Sequence, residues 1–183
     1  MAPKTAQIKF YTGVDESSVK RLMSVIEEKL GQGAERFVVF ISSPGGDVFH
    51  GLSAYNFLKG LPAEVLTHNF GSVDSMGAVI YCAGSRRYCV PHARFLLHAP
   101  AAGFSQPTSL EEKQLEERLK GLKLNMENIA GVIAATTGKS EEQVYKDMLD
   151  RTALNPEDAI KYGLVHEIRE ELFEPGLELT TIQ

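Results

Sequence analysis

The sequence has only two cysteines, Cys82 and Cys89, too few for a disulfide framework or a cysteine-rich zinc site. Both stand among apolar neighbours, so buried reduced thiols are expected. No stretch approaches the ~18 uninterrupted apolar residues of a membrane-spanning helix, and the start Met-Ala-Pro-Lys-Thr has no apolar signal core. A soluble, cytoplasmic protein without membrane contact is expected. There is no basic excess: 19 Lys and Arg stand against 24 Asp and Glu, a formal charge of −5. That argues against a nucleic-acid binder, which needs a concentrated basic face. Low-complexity segments and long linkers are also missing. What remains is 183 residues, 43% hydrophobic and 23% charged, the composition of a folded chain and the length of one domain, 1–183.

Strands and helices alternate along it. Residues 7–12 alternate polar and apolar as a short strand does, and Asp15 then opens a helix carrying Val19, Leu22, Met23, Ile26 and Leu30 at helical spacing. Phe37 to Ile41 is continuously apolar, as in a strand covered on both faces. The turn Ser43-Pro44-Gly45-Gly46 leads into a helix with Val48, Leu52, Tyr55 and Leu58. The order then repeats, with a strand over 63–70, a turn at Gly71 and a short apolar helix from Ser75 to Cys82. Strand-like pieces follow at 87–90 and 94–98, then a loop over 99–108 and a long helix over 109–137. Ser140 and Gln143 form a capping-box pair for the next helix. Asn155, Pro156 and Gly163 bound a last short helix, and 164–168 returns as a strand. The tail 171–183, with Pro175 and Gly176, reads as peripheral. The pattern predicts an α/β domain with a mainly parallel, covered sheet.

Two strand-to-helix turns carry chemistry. In Gly71-Ser72-Val73-Asp74-Ser75-Met76-Gly77 a serine hydroxyl is presented at a helix start, where free amides can hold an oxyanion. Taken alone, Ser75 also reads as a helix cap, and as a nucleophile it needs a base. Gly45 and Gly46 lack Cβ atoms and let a ligand approach backbone amides. They also suit an ordinary tight turn, and no Lys-Ser/Thr follows as a phosphate loop requires. Such turns can face one crevice at the carboxyl ends of the strands. His98 ends the strand Arg94-Phe95-Leu96-Leu97-His98 and is followed by Ala99-Pro100, a position suited to a base. His50, His68, His92 and His166 are its competitors.

Several blocks together resemble the proteolytic subunit of the Clp protease: Ile41-Ser42-Ser43-Pro44-Gly45-Gly46, Gly51-Leu52-Ser53-Ala54-Tyr55, Ser75-Met76-Gly77-Ala78, Cys82-Ala83-Gly84, Arg87-Tyr88-Cys89-Val90-Pro91 and Leu97-His98-Ala99-Pro100. Tyr162-Gly163-Leu164-Val165 resembles the family's C-terminal block, and the likeness covers roughly 8–170. It implies a crotonase-like ββα superhelix with a protruding handle region over about 99–137, and a serine endopeptidase needing no metal or organic cofactor. By the resemblance Ser75 is the nucleophile, His98 the general base, and the amides of Gly46 and Met76 the oxyanion hole. Gly45, Val48 and residues 101–103, Ala101 and Gly103 among them, match segments that pair with an extended peptide or unfolded-protein substrate. The family also implies a homo-oligomer of sevenfold rings stacked in pairs, zipped together by the handle helix.

The sequence departs from the family at the third triad member. Without a gap, Arg151 falls on the aspartate position; one inserted residue restores Asp150, which is the expectation adopted here. Asp74 stands where the family has alanine, and is expected either near His98 or, by preference, in solvent. Because the sequence begins almost at its first strand, little of the family's unfoldase-docking N-terminal segment is expected, and no ATP-dependent unfoldase is assigned as partner. The alternative reading is a catalytically weak subunit serving as scaffold in a mixed ring. A crotonase-type acyl-CoA enzyme and a membrane-bound serine–lysine protease rank below both.

Overall fold

The computed structural model describes residues 3–103, 109–173, 176 and 178–183. Positions 104–108 of the expected 99–108 loop, and Pro175, therefore lie outside the described residues. The first strand, β1 (Thr5–Tyr11), leads into helix α1 (Glu16–Gly31). Asp15 starts that helix by a reciprocal pair: its carboxylate accepts from the Ser18 amide at 2.8 Å, and Ser18 Oγ accepts from the Asp15 amide at 3.0 Å. Val19, Leu22 and Ile26 form the buried stripe. The continuous apolar run becomes β2 (Arg36–Ser43), with Phe37, Val39, Phe40 and Ile41 all buried. It is followed by α2 (Val48–Lys59).

The next strand, β3 (Glu64–Asp74), is longer than expected, because it runs through Gly71 instead of turning there. Its pairing with β2 is regular up to Ile41↔Asn69 and resumes at Ser43↔Val73, so a bulge absorbs the extra residues. A β-carbon at Gly71 would lie 2.9 Å from Ser42 Oγ, which is why glycine sits at the bulge. Beyond it, β3 changes partner. Residues 66–69 pair with β4 (Arg86–Cys89), and residues 72–74 pair with β5 (Arg94–Leu96), both parallel. This change of neighbour brings the end of β5 beside the start of α3 (Met76–Tyr81), a helix whose six residues are all buried.

The long helix is α4 (Glu112–Thr137), starting three residues later than expected. Its C-terminal half buries Met126, Ile129, Ala130, Ile133 and Ala134, while Leu115, Leu119 and Leu124 in the first half are exposed. After it come α5 (Glu141–Leu149), β6 (Ala153–Leu154), α6 (Pro156–Tyr162), β7 (Glu167–Ile168) and β8 (Leu179–Ile182). Ser140 caps α5 by accepting from the Gln143 amide, but the Gln143 side chain bonds Asp147 rather than closing a box. Asn155, Pro156 and Gly163 bound α6 as expected. The sheet order is β6-β5-β3-β2-β1-β8, with β4 and β7 branching from β3. Among the described residues, β5–β6 is the only antiparallel pair.

The tail corrects the reading of 171–183 as peripheral. β8 pairs in parallel with β1, from Gln7↔Leu179 to Phe10↔Ile182, and Ile182 is fully buried. Phe173 also stacks edge-on against Phe40, with ring centroids 4.9 Å apart. Cys82 and Cys89 are free and buried, and burial pushes both thiols up to about 11, so they are unreactive at neutral pH.

His68, on β3, is a core histidine rather than a base in the crevice. Its Nε2 donates to the Arg169 carbonyl at 3.2 Å, and its ring lies between those of Phe40 and Tyr88. Burial lowers its pKa from 6.5 to about 4. Between those values the unfolded chain binds more protons than the folded one, so this contribution to stability rises with pH. The denaturation midpoint is expected to fall as pH drops from 6.5 towards 4. A His68→Gln variant followed by circular dichroism should show a flatter dependence over the same window; an equally steep one would remove His68 as its source.

Candidate active site

Ser75 occupies the single residue between β3 and α3, with φ 54° and ψ −122°. Residues with a Cβ rarely adopt such angles, and a strand that turns straight into a helix requires them here. The elbow is held by the Ser75 amide, which donates to the Leu96 carbonyl on β5 at 2.8 Å. Although Ser75 stands at the N-cap, its side chain makes no capping bond, so its hydroxyl is not absorbed in helix termination. The capping alternative left open by the sequence is thereby set aside.

The glycine turn packs directly against this elbow. A β-carbon on Gly45 would stand 2.6 Å from Ser75 Cβ and 2.9 Å from the Met76 nitrogen, so only glycine permits the contact. Gly46 is pinned from the other side, where a β-carbon would meet the Val14 carbonyl. Val14 clamps the turn by donating to the Gly45 carbonyl and accepting from the Asp47 amide, both at 2.8 Å. Among the described residues, no hydrogen bond uses the Gly46 amide. Met76 is the first residue of α3, so its amide has no acceptor within the helix. The Met76 amide thus stands at the Ser75 elbow without an acceptor in the helix, and the Gly46 amide belongs to the turn packed against that elbow.

His98 follows β5 by two residues, and the β3–β5 register (Asp74↔Leu96) brings its strand to the Ser75 elbow. The ring is half-buried, and its Nδ1 bonds the Ala99 carbonyl at 2.8 Å. Among the described residues there is no hydrogen bond from His98 to Ser75 or to any carboxylate. Unbound hydrolases often tighten such contacts only with substrate. Asp150, the expected third member, is the exposed C-cap of α5, and among the described residues no hydrogen bond or ion pair joins its carboxylate to His98. Arg151 comes next, at φ 54° and exposed. Val48 opens α2, and Ala101 and Gly103 are exposed in irregular chain beyond Pro100.

Asp74 corrects both expectations made for it. Its side chain is buried, accepts from Ser72 Oγ at 2.9 Å and pairs with Arg94 at 2.5 Å. It is therefore not a solvent-facing carboxylate, and among the described residues it makes no hydrogen bond to His98. Ser72 and Asp74 project from one face of β3, and Ser72 lies opposite Arg94 in register. That i, i+2 spacing was available in the sequence, but only the unexpected continuation of β3 past Gly71 gives it meaning. An apolar hollow of about 140 Å³ begins at Ala99 and Pro100 and is lined by Leu122, Met126, Tyr145 and Leu149.

The family model described as Clp protease matches residues 3–171. An ATP-dependent Clp protease proteolytic subunit 2 from Pseudomonas aeruginosa is 33% identical over 160 residues, covering 85% of this chain and 77% of that protein. The subunit of the same name from Chlamydia trachomatis serovar D is 35% identical over 132 residues, covering 71% of this chain and 63% of that one, so less than two thirds of its length is matched. Among solved structures, a point mutant of ClpP1 from Listeria monocytogenes superposes with a TM-score of 0.81 at 27% identity, covering 92% of both chains. The crotonase-like ββα architecture with a projecting helix is the fold of this chain.

Proposed function

Because the chain belongs to the Clp protease family, we propose that it is a serine endopeptidase in which Ser75 is the nucleophile, His98 the general base and the Gly46 and Met76 amides the oxyanion hole. The observation that carries this reading is the van der Waals contact between the Gly45–Gly46 turn and the Ser75 elbow, which joins two turns 30 residues apart into one crevice. His98 Nε2 takes the proton from Ser75 Oγ as the oxygen bonds to the substrate carbonyl carbon. The carbonyl π electrons move to oxygen, where the two amides hold the charge; each such donor contributes roughly 3–4 kcal/mol. Collapse of the intermediate breaks the C–N bond, and the leaving amine receives the proton from Nε2. Water then repeats the sequence on the acyl-enzyme, and the peptide acid leaves.

The substrate is a peptide or unfolded protein lying extended beside Val48 and residues 101–103, where main-chain pairing tolerates many side chains. The hollow at Ala99 and Pro100 takes an apolar side chain. The exposed Leu115, Leu119 and Leu124 of α4 supply a contact between subunits of a ring assembly. Asp150 is the carboxylate of this reading, orienting His98 once the site tightens on substrate.

A fluorophosphonate tests the assignment, since attack by Ser75 forms an O–P bond and expels fluoride. Peptide mapping of the labelled protein is expected to find the phosphonyl group on Ser75. Label on another residue, or none in a preparation that hydrolyses a fluorogenic peptide, would remove Ser75 as the nucleophile.

A further inference from the structure

We infer that Asp74 and Arg94, linked through Ser72, are positioning residues that hold the Ser75 elbow and the His98 strand in register; this rests on the peptidase reading of Ser75 and His98. The three side chains close a ring of hydrogen bonds. Arg94 Nε donates to Ser72 Oγ at 3.2 Å, and Ser72 Oγ donates to one oxygen of Asp74 at 2.9 Å. Arg94 Nη2 donates to the other oxygen at 2.5 Å, a charge-assisted bond. Both carboxylate oxygens are thereby partnered.

The place of the ring in the sheet gives it this task. Nucleophile and base are carried by different strands, since Ser75 follows β3 directly and His98 follows β5 by two residues. Among the described residues those strands pair only at Ser72↔Arg94, Val73↔Phe95 and Asp74↔Leu96. On its other side β5 pairs with β6 at Phe95 and Leu96 alone. Ladders this short open easily, because few main-chain bonds resist sliding. Ser72 and Asp74 share a face of β3, so the ring spans the β3–β5 ladder from its first position to its last. It is anchored on the residue immediately before the elbow, where φ is 54°. A strained turn persists only while its surroundings over-determine it.

A lone surface ion pair would contribute little. Here the Asp74 side chain is only 12% exposed, although that of Arg94 is 58% exposed, and Ser72 fixes the approach of the guanidinium. The ring borders a hollow of about 450 Å³ that Thr12, Ser43 and Pro44 also line. Removing the Asp74 carboxylate therefore leaves a solvated arginine beside an existing hollow. Removing Arg94 alone would instead strand a buried carboxylate, so Asp74 is the cleaner probe.

Kinetics on the full chain test this. Asp74→Ala is expected to lower kcat for a fluorogenic peptide by about tenfold to a hundredfold, the cost of a misplacement near 1 Å, with KM within about twofold. The rate of fluorophosphonate labelling at Ser75 is expected to fall by the same factor, because it needs the same alignment with His98. Arg94→Lys keeps the charge but not the fork, and should lose about threefold to tenfold. Ser72→Thr keeps the hydroxyl and should stay within about threefold of the wild type, whereas Ser72→Ala loses about tenfold. The double variant Asp74→Ala, Arg94→Ala should lose no more than Asp74→Ala alone, because the ring is already broken. Wild-type kcat in Asp74→Ala, a loss carried by KM, or a further tenfold loss in the double variant would each overturn the inference. If Asp74→Ala does not fold, the contrast between Ser72→Ala and Ser72→Thr decides in its place, and equal activity of those two overturns it. Absence of label on Ser75 in the wild type would strike the peptidase reading itself, a result obtained without any of these variants.

Discussion

Ser75→Gly is expected to lose peptide turnover by about 10⁶ in kcat and at the same time to be more stable than the wild type by about 1 kcal/mol. The first effect is removal of the nucleophile. The second follows from the backbone. At φ 54° and ψ −122°, a residue with a Cβ holds strain of roughly 1–3 kcal/mol. Glycine adopts those angles freely but loses about 0.5–1 kcal/mol more conformational entropy on folding. The difference favours glycine by about 1 kcal/mol, or roughly 2–4 °C in Tm for a chain of this length. Ser75→Ala separates the two contributions: it removes the hydroxyl but keeps the Cβ, so activity is lost with little change in midpoint. Thermal unfolding of the three proteins side by side checks the argument. A Ser75→Gly protein no more stable than Ser75→Ala would mean that the elbow stores no strain.

That strain is also the reason this site could be read in the sequence. A serine between an apolar strand and a run of small apolar residues has few structural uses, and the paired glycines at 45–46 have few as well. What the sequence could not show was that the two turns touch. The contact depends on the bulge between Ile41 and Ser43, which sets how far β3 runs before it turns. Gly71 signalled a turn because glycine favours turns and bulges alike. Only pairing with β5 decides between them, and that pairing is distant in sequence. The same limit hid β8. Leu179–Ile182 is too short to show a period, and its strand character comes from β1, some 170 residues earlier. Asp150 is preferred over Arg151 on chemical grounds, because a guanidinium could not orient an imidazolium favourably.

The side chain whose importance the sequence most understated is Arg87, and Arg87→Ala is expected to cost at least about 3 kcal/mol of stability. It reads as one charged residue in the block Arg87-Tyr88-Cys89, yet on β4 it is 7% exposed. Its Nε donates to the Leu164 carbonyl at 2.7 Å, Nη1 to Gly84 at 3.1 Å, and Nη2 to Gly163 at 3.2 Å and Thr136 at 3.3 Å. Thr136 is in the last turn of α4, Gly163 caps α6, and Gly84 follows α3. One guanidinium thus satisfies carbonyls at the C-terminal ends of three helices, where such groups lack intrahelical partners and the helix dipole favours a cation. Alanine leaves these carbonyls buried and unpaired. Lysine keeps the charge but not the planar fork, so Arg87→Lys should lose about half as much. The expected fall in Tm for alanine is roughly 6–12 °C. Because the partners are neutral and enclosed, the loss should change little between low and high salt, unlike that of a surface ion pair. A loss under 1 kcal/mol, or one that salt abolishes, would show that the three helix ends are held together by packing alone.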